Sequence, residues 1–161
     1  MRRYMLSKKE SRNTLSMLEE LFRSKIDADK VEVCIDKKTK FILIDGEPMA
    51  VEDRNMLIPL LNWLIKNREK HNIPKIIVDK GAVKPISRGA DVMAPGVIGV
   101  EGSFGSNEIV IVVDEVYNAP IAVVKALIDS ESLKSTSKGK VALNIHHFKD
   151  SYWKKAESIK T

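Results

Sequence analysis

Behind Ser7-Lys8-Lys9-Glu10, the apolar residues Leu15, Leu18, Leu21 and Phe22 recur at helical spacing. Ser7 and Glu10 form a capping-box pattern, in which each side chain satisfies the other residue's free amide, so a helix is predicted from Lys8 to Arg23. The period then shortens. Val31-Glu32-Val33-Cys34-Ile35 and Phe41-Ile42-Leu43-Ile44 read as two strands joined by the polar loop Asp36 to Lys40, and Asp45-Gly46 turns the chain again. Pro59 suits the first turn of a second helix, where its missing amide costs nothing. Leu60, Leu61, Leu64 and Ile65 would form the buried stripe of that helix, which should end near Lys70. His71-Asn72-Ile73-Pro74 reads as a boundary between an N-terminal α/β domain, residues 1–73, and a second domain, residues 74–161.

The second domain is mostly β. Ile76-Ile77-Val78 is a β-branched run typical of a buried strand, and Asp79-Lys80-Gly81 interrupts it with a turn and a helix start. Up to Gly89 there is room for about two helical turns. Pro85 keeps that helix short, and Gly89 is placed to close it in a left-handed conformation. Asp91 to Ala94 resumes an extended pattern, with Pro95-Gly96 as a turn or bulge. Further strands are expected at Ile109–Val113, Ile121–Ala126 and Val141–Ile145, separated by loops at 101–107, 115–118 and 130–138. Short strands with little helix indicate a small barrel, so the fold class is α+β.

Charge adds a direction. The 161 residues carry a formal charge of +5, a weak tilt toward polyanions. Its distribution says more, because Pro74–Arg88 and Lys134–Lys155 are strongly basic, whereas Gly89–Leu133 holds only Lys125 against seven acidic residues. Lys80, Lys84 and Arg88 recur every four residues, which on a helix puts them on one face. With Gly81 and Gly89 on either side, backbone amides and cations can reach a phosphate together, and the missing side chains admit a nucleic-acid backbone.

Other chemistries find little support. A single cysteine, Cys34, rules out an intramolecular disulfide and suits a reducing compartment. No apolar run approaches the length of a membrane span, and Met1–Leu6 is too short and too soon broken for a signal peptide, so a soluble, cytoplasmic protein without a membrane partner is expected. His146 and His147 are adjacent and point to opposite sides of a strand, and His71 and Cys34 add nothing at ligand spacing, so no metal site is expected. No nucleophile triad, P-loop or paired catalytic carboxylates stand out, and neither catalysis nor a cofactor is expected. His146 fits an RNA contact and a structural role equally well, and the periodicity leaves open whether Trp63 is buried.

The stretch from Asp79 to Val97 resembles the PUA domain, whose first strand, helix and second strand carry a pattern of the type DxGAxKxxxxGAxVxxPGV. The matching residues are Asp79, Gly81, Ala82, Lys84, Gly89, Ala90, Val92, Pro95, Gly96 and Val97. Gly139-Lys140 and Asn144 to Asp150, followed by Tyr152-Trp153, are similar to the C-terminal signature of one subfamily. That subfamily comprises the malignant T-cell-amplified sequence and translation-machinery-associated proteins and their single-chain archaeal relatives. Pro85, where relatives usually carry an apolar residue, and Ser106-Asn107-Glu108 depart from the pattern.

The resemblance implies a pre-PUA α/β domain followed by a mostly-β PUA pseudo-barrel. In such a barrel the first and last strands would be neighbours, bringing both basic segments onto one face. It implies binding of structured RNA, tRNA or rRNA, in translation initiation, reinitiation or ribosome recycling, with the small ribosomal subunit or a translation factor as partner. Lys80, Lys84, Arg88, Lys140 and Lys149 would neutralise phosphates. Gly81, Gly89 and Ala90 would admit the strand, His146 would touch a base or a 2′-hydroxyl, and Ser87 and Asp91 complete the candidate site. An accessory subunit of a tRNA or rRNA modification enzyme is the alternative. A protein-interaction scaffold anchored by Trp63 and Trp153 is a third reading.

Overall fold

The computed structural model describes residues 1–159. Its contacts divide the chain into two compact units, Met1–Asn72 together with the segment from Ser151, and Ile73–Asp150.

The first unit is built on an antiparallel sheet of five strands among the described residues. The strands are β1 (Arg2–Met5), β2 (Val31–Asp36), β3 (Thr39–Ile44), β4 (Glu47–Asp53) and β5 (Met56–Pro59), arranged in sequence order. The helix α1 (Lys8–Phe22) forms behind the expected capping box. Glu10 N donates to Ser7 Oγ at 3.2 Å, and Ser7 N donates to Glu10 Oε1 at 3.1 Å, which holds the Glu10 carboxyl below its usual range. Leu18 and Phe22 bury its apolar face, each worth about 1.5–3 kcal/mol. β2 and β3 extend further than their apolar runs, leaving only Lys37-Lys38 as the turn, because Asp36 and Thr39 still pair.

The sequence reading misses β1, β4 and β5. β1 is exposed along its whole length and has no buried alternation to betray it. It is held by pairing with β2 and by Arg3, whose Nε donates to Glu32 at 2.9 Å. Pro59 does not open a helix but ends β5 opposite Ala50. The Leu60 amide bonds Met49 O, so the ladder continues one residue and α2 (Leu61–Lys66) starts later and ends earlier than expected. Ile65 is exposed, whereas Trp63 is buried edge-on against Phe22, with ring centroids 5.2 Å apart.

In the second unit the sheet has six strands among the described residues. They are β6 (Lys75–Val78), β7 (Val92–Met93), β8 (Val97–Glu101), β9 (Ile109–Asp114), β10 (Pro120–Ala126) and β11 (Lys140–His147), in the order β7-β11-β10-β9-β6-β8. The sheet curls as a half-barrel around Ile76, Val78, Val110, Val112, Val124 and Ala142. The helix α3 (Lys80–Ser87) inserts Ile86 into that core. A second helix, α4 (Ser130–Lys134), occupies part of an expected loop, capped by Asp129 accepting from Ser132 N at 2.7 Å.

Two expectations are corrected. The first and last strands of this unit are not neighbours. β6 lies between β9 and β8, and β11 lies between β10 and β7, because the short strand that follows α3 takes the edge beside β11. Nor does the chain after Asp150 belong to the second unit. The helix α5 (Ser151–Ser158) packs in the first, where the Tyr152 hydroxyl donates to Asp53, Lys155 pairs with Asp36 at 3.1 Å and Asn62 Nδ2 donates to Trp153 O at 3.3 Å.

Candidate nucleic-acid interface

The corner around α3 is assembled from local rules. Asp79 caps the helix, its carboxylate accepting from Ala82 N at 3.0 Å, while its own amide donates to Gly96 O at 2.9 Å. This ties the helix start to the Pro95-Gly96 turn. A Cβ on Gly96 would stand 3.1 Å from Ala82 Cβ, so a side chain there would have to push the helix start away by a few tenths of an ångström. Pro85 lies inside the helix and has no amide for the carbonyl of Gly81, yet two turns persist. Arg88 N donates to Pro85 O, Gly89 N to Ile86 O and Ala90 N to Pro85 O, which ends the helix tightly.

Gly89 sits at φ +109°, a conformation that L side chains rarely adopt, and its missing Cβ is the space taken by the His147 ring. Asn144 on β11 then latches the corner, its Nδ2 donating to Ile86 O and Ala90 O, each at 2.9 Å. The Asp91 carboxylate accepts from Asn144 N at 2.8 Å and pairs with Lys140 Nζ at 2.9 Å. First the Asn144 amide and then the Lys140 ammonium hold the Asp91 carboxyl below its usual range.

The expected residues therefore separate by role. Lys80, Lys84 and Arg88 are exposed, and among the described residues no ion pair engages them. Gly81 is exposed beside them, and a Cβ there would meet only Asp79 Oδ1, at 3.5 Å. Ala90 is exposed at the far end of the same corner. Ser87 is half-buried, and its hydroxyl donates back to Lys84 O at 2.8 Å. Lys140 and Asp91 neutralise each other and brace the corner rather than offering free charge.

Lys149 lies at the opposite end of β11 from Lys140, roughly 20 Å away at the usual rise per residue. The basic segment 134–155 is thus dispersed. Lys134 pairs with Glu131 and Lys140 with Asp91, whereas Lys155 and its partner Asp36 both belong to the first unit.

His146 is fully buried, its Nδ1–H donating to the Asp150 carboxylate at 2.9 Å. It cannot reach an external ligand, so its sequence-predicted RNA contact is corrected to a structural role. The same carboxylate accepts from the His147 amide at 2.9 Å, which fixes the end of β11. The neighbour, His147, is the histidine that meets the corner, half-buried against Gly89. Strand alternation foretells that only one of the two faces outward but not which one.

Comparison with known proteins gives this corner a family. The PUA domain model matches residues 74–148, and a domain of unknown function (DUF1947) matches residues 2–67. An uncharacterised protein of Methanocaldococcus jannaschii is 35% identical over 156 residues, 94% of this chain and 95% of that protein. Translation machinery-associated protein 20 of Saccharomyces cerevisiae is 28% identical over 143 residues, covering 85% of this chain and 77% of its own. Among solved structures, a hypothetical protein of Pyrococcus horikoshii superposes with a TM-score of 0.82 at 30% identity, covering 96% of this chain and 99% of that one. A PUA-domain protein of Aeropyrum pernix, solved as a tartrate complex, reaches 0.86 at 27% identity, covering 98% and 92%. The chain therefore belongs to the PUA-domain family of translation machinery-associated protein 20 and its archaeal relatives.

Proposed function

We propose that this protein is a non-catalytic RNA-binding factor of the translation machinery, holding structured RNA such as tRNA or rRNA on the α3 corner. One observation carries the reading: Lys80 and Lys84 on α3 and Arg88 at its C-cap stand exposed, and among the described residues no ion pair engages them. Such cations contribute mainly through phosphate neutralisation and counter-ion release. The PUA domain match and the name of the yeast relative support RNA and translation as the setting.

The carboxyls with lowered pKa values belong to structural contacts. The Glu10 and Asp129 carboxyls are lowered by helix-cap amides, Glu32 by Arg3, and Asp91 by Asn144 and Lys140. Each of these perturbations serves a structural contact rather than a reaction centre in a cleft. The name of the yeast relative supports a cytoplasmic location, and the proposed partner is the small ribosomal subunit or a translation factor.

Titrating labelled tRNA and small-subunit rRNA fragments with the wild type and with Lys84→Ala/Arg88→Ala across a salt series tests the site. Loss of affinity and a shallower salt slope in the variant are expected. An unchanged affinity and slope would reject it.

A further inference from the structure

β1 is the outer strand of the first unit's sheet, and among the described residues it pairs on one side only, with β2. Leu6 N donates to Val31 O at 3.0 Å, which continues the register in which Met5 faces Glu32 and Tyr4 faces Val33. Bonded and non-bonded pairs alternate along an antiparallel ladder. Tyr4 and Arg2 therefore spend their backbone groups on β2, whereas the amides and carbonyls of Arg3 and Met5 point to the open side. All four residues of the strand are exposed.

Beside the end of β1, a cleft of about 500 Å³ opens between α1 and the chain that leads into β2. Leu6, Leu15 and Val31 give it an apolar lining, and Met5, 62% exposed, joins it to the strand edge. Lys8 and Arg12 border the cleft, with Asp29 as the acid in its lining. Charge on this side is positive. Arg2, Lys8 and Arg12 are exposed, and among the described residues no ion pair engages them. Glu32, the buried acid on β2, is already held by Arg3 at 2.9 Å and Lys30 at 3.4 Å.

An open edge offers carbonyls as well as amides, and a polypeptide strand satisfies both. A phosphodiester chain accepts but does not donate along its backbone, so the outward carbonyls of Arg3 and Met5 disfavour RNA here. A second copy of β1 would bring Arg2 and Arg3 to an edge that already carries them, and arginines on an edge strand discourage such self-pairing. Acidic side chains on an incoming strand would instead meet the unpaired cations, and an apolar residue at its end would fill the cleft.

We propose that β1 is a docking edge for an extended, acidic segment of a partner protein, added as a sixth strand beside Arg3 and Met5 and anchored by an apolar side chain between Leu6, Leu15 and Val31. The proposal is independent of the RNA-binding reading above.

The test titrates the full chain with a labelled peptide of alternating glutamate and valine that ends in leucine, followed by anisotropy and amide exchange. Binding below about 1 mM, with slower exchange at Arg3 and Met5, is expected. A lysine-for-glutamate peptide and the backbone N-methylated acidic peptide should each bind at least roughly tenfold more weakly. Met5→Pro removes an amide that β2 does not use, so it should abolish peptide binding and leave thermal unfolding nearly unchanged. Should that variant unfold, Arg2→Glu/Arg12→Glu, at two exposed positions, should still weaken the peptide by roughly tenfold. Lys84→Ala/Arg88→Ala should bind the peptide as the wild type does. Absence of binding, or equal affinity for the N-methylated or the lysine peptide, would overturn strand addition. So would a dimer in sedimentation that Met5→Pro dissociates, which makes the occupant a second copy, or an RNA affinity lost in Arg2→Glu/Arg12→Glu without any peptide binding by the wild type.

Discussion

A Cβ placed on Gly89 would stand 3.0 Å from His147 Nε2, so the end of α3 and the end of β11 meet where a side chain would have to displace the imidazole. Gly89→Ala should destabilise the protein by about 1–3 kcal/mol, through the positive φ as well as the contact. Adding His147→Ala removes the contact but not the backbone strain, so the double variant should recover only part of the loss. Urea unfolding midpoints of the wild type, both single variants and the double variant decide this; full recovery would show that φ contributes nothing.

Lys84 and Arg88 are exposed and make no internal ion pair among the described residues. Replacing both with alanine should leave stability within about 0.5 kcal/mol of wild type. RNA affinity should fall by roughly tenfold, and the salt slope should become shallower by about one to two, as expected for two lost phosphate contacts. Parallel melting and binding curves separate a lost contact from a damaged fold.

Asp91 couples the corner to pH. Its carboxyl is held below the usual value of 3.8 by the Asn144 amide and by Lys140, so the stabilisation is fully present above about pH 4 and is lost as acid drives the pH through the lower, folded value. Comparing urea unfolding at about pH 6 and about pH 3, wild type should lose more stability than Asp91→Asn, which cannot titrate there. Lys140→Ala should cost less than about 1 kcal/mol, because its side chain is half exposed. Equal acid sensitivity in Asp91→Asn and wild type would remove Asp91 from this account.

His146 should behave as a core residue. Its replacement by alanine leaves a cavity and deprives the Asp150 carboxylate of a donor, at a cost of about 2–4 kcal/mol. RNA affinity per folded molecule should stay at the wild-type level. A stable variant with weakened RNA binding would restore the direct contact that burial excludes.

Tyr152→Phe removes a hydrogen bond to Asp53 inside the first unit and should cost about 0.5–1.5 kcal/mol. Amide exchange should speed up in residues 2–66 while the strands of residues 75–147 keep their protection. Faster exchange confined to the latter would place α5 with the wrong unit.

Much of this protein is legible in one dimension because the relevant forces are local. The capping box of α1, the Asp79 cap and the positive-φ Gly89 each depend on a few consecutive residues, and each is found where the pattern places it, although α3 runs on through Pro85 to Ser87. The cations at spacing four are likewise a property of the helix alone. What the tertiary structure decided is pairing between distant segments. Strand order set β11 beside β7 instead of β6, register turned His146 inward and His147 toward Gly89, and packing buried Trp63 rather than Ile65. The same long-range choices neutralised Lys140 with Asp91. Periodicity records that a face is buried, but the identity of the surface covering it comes only from long-range contacts.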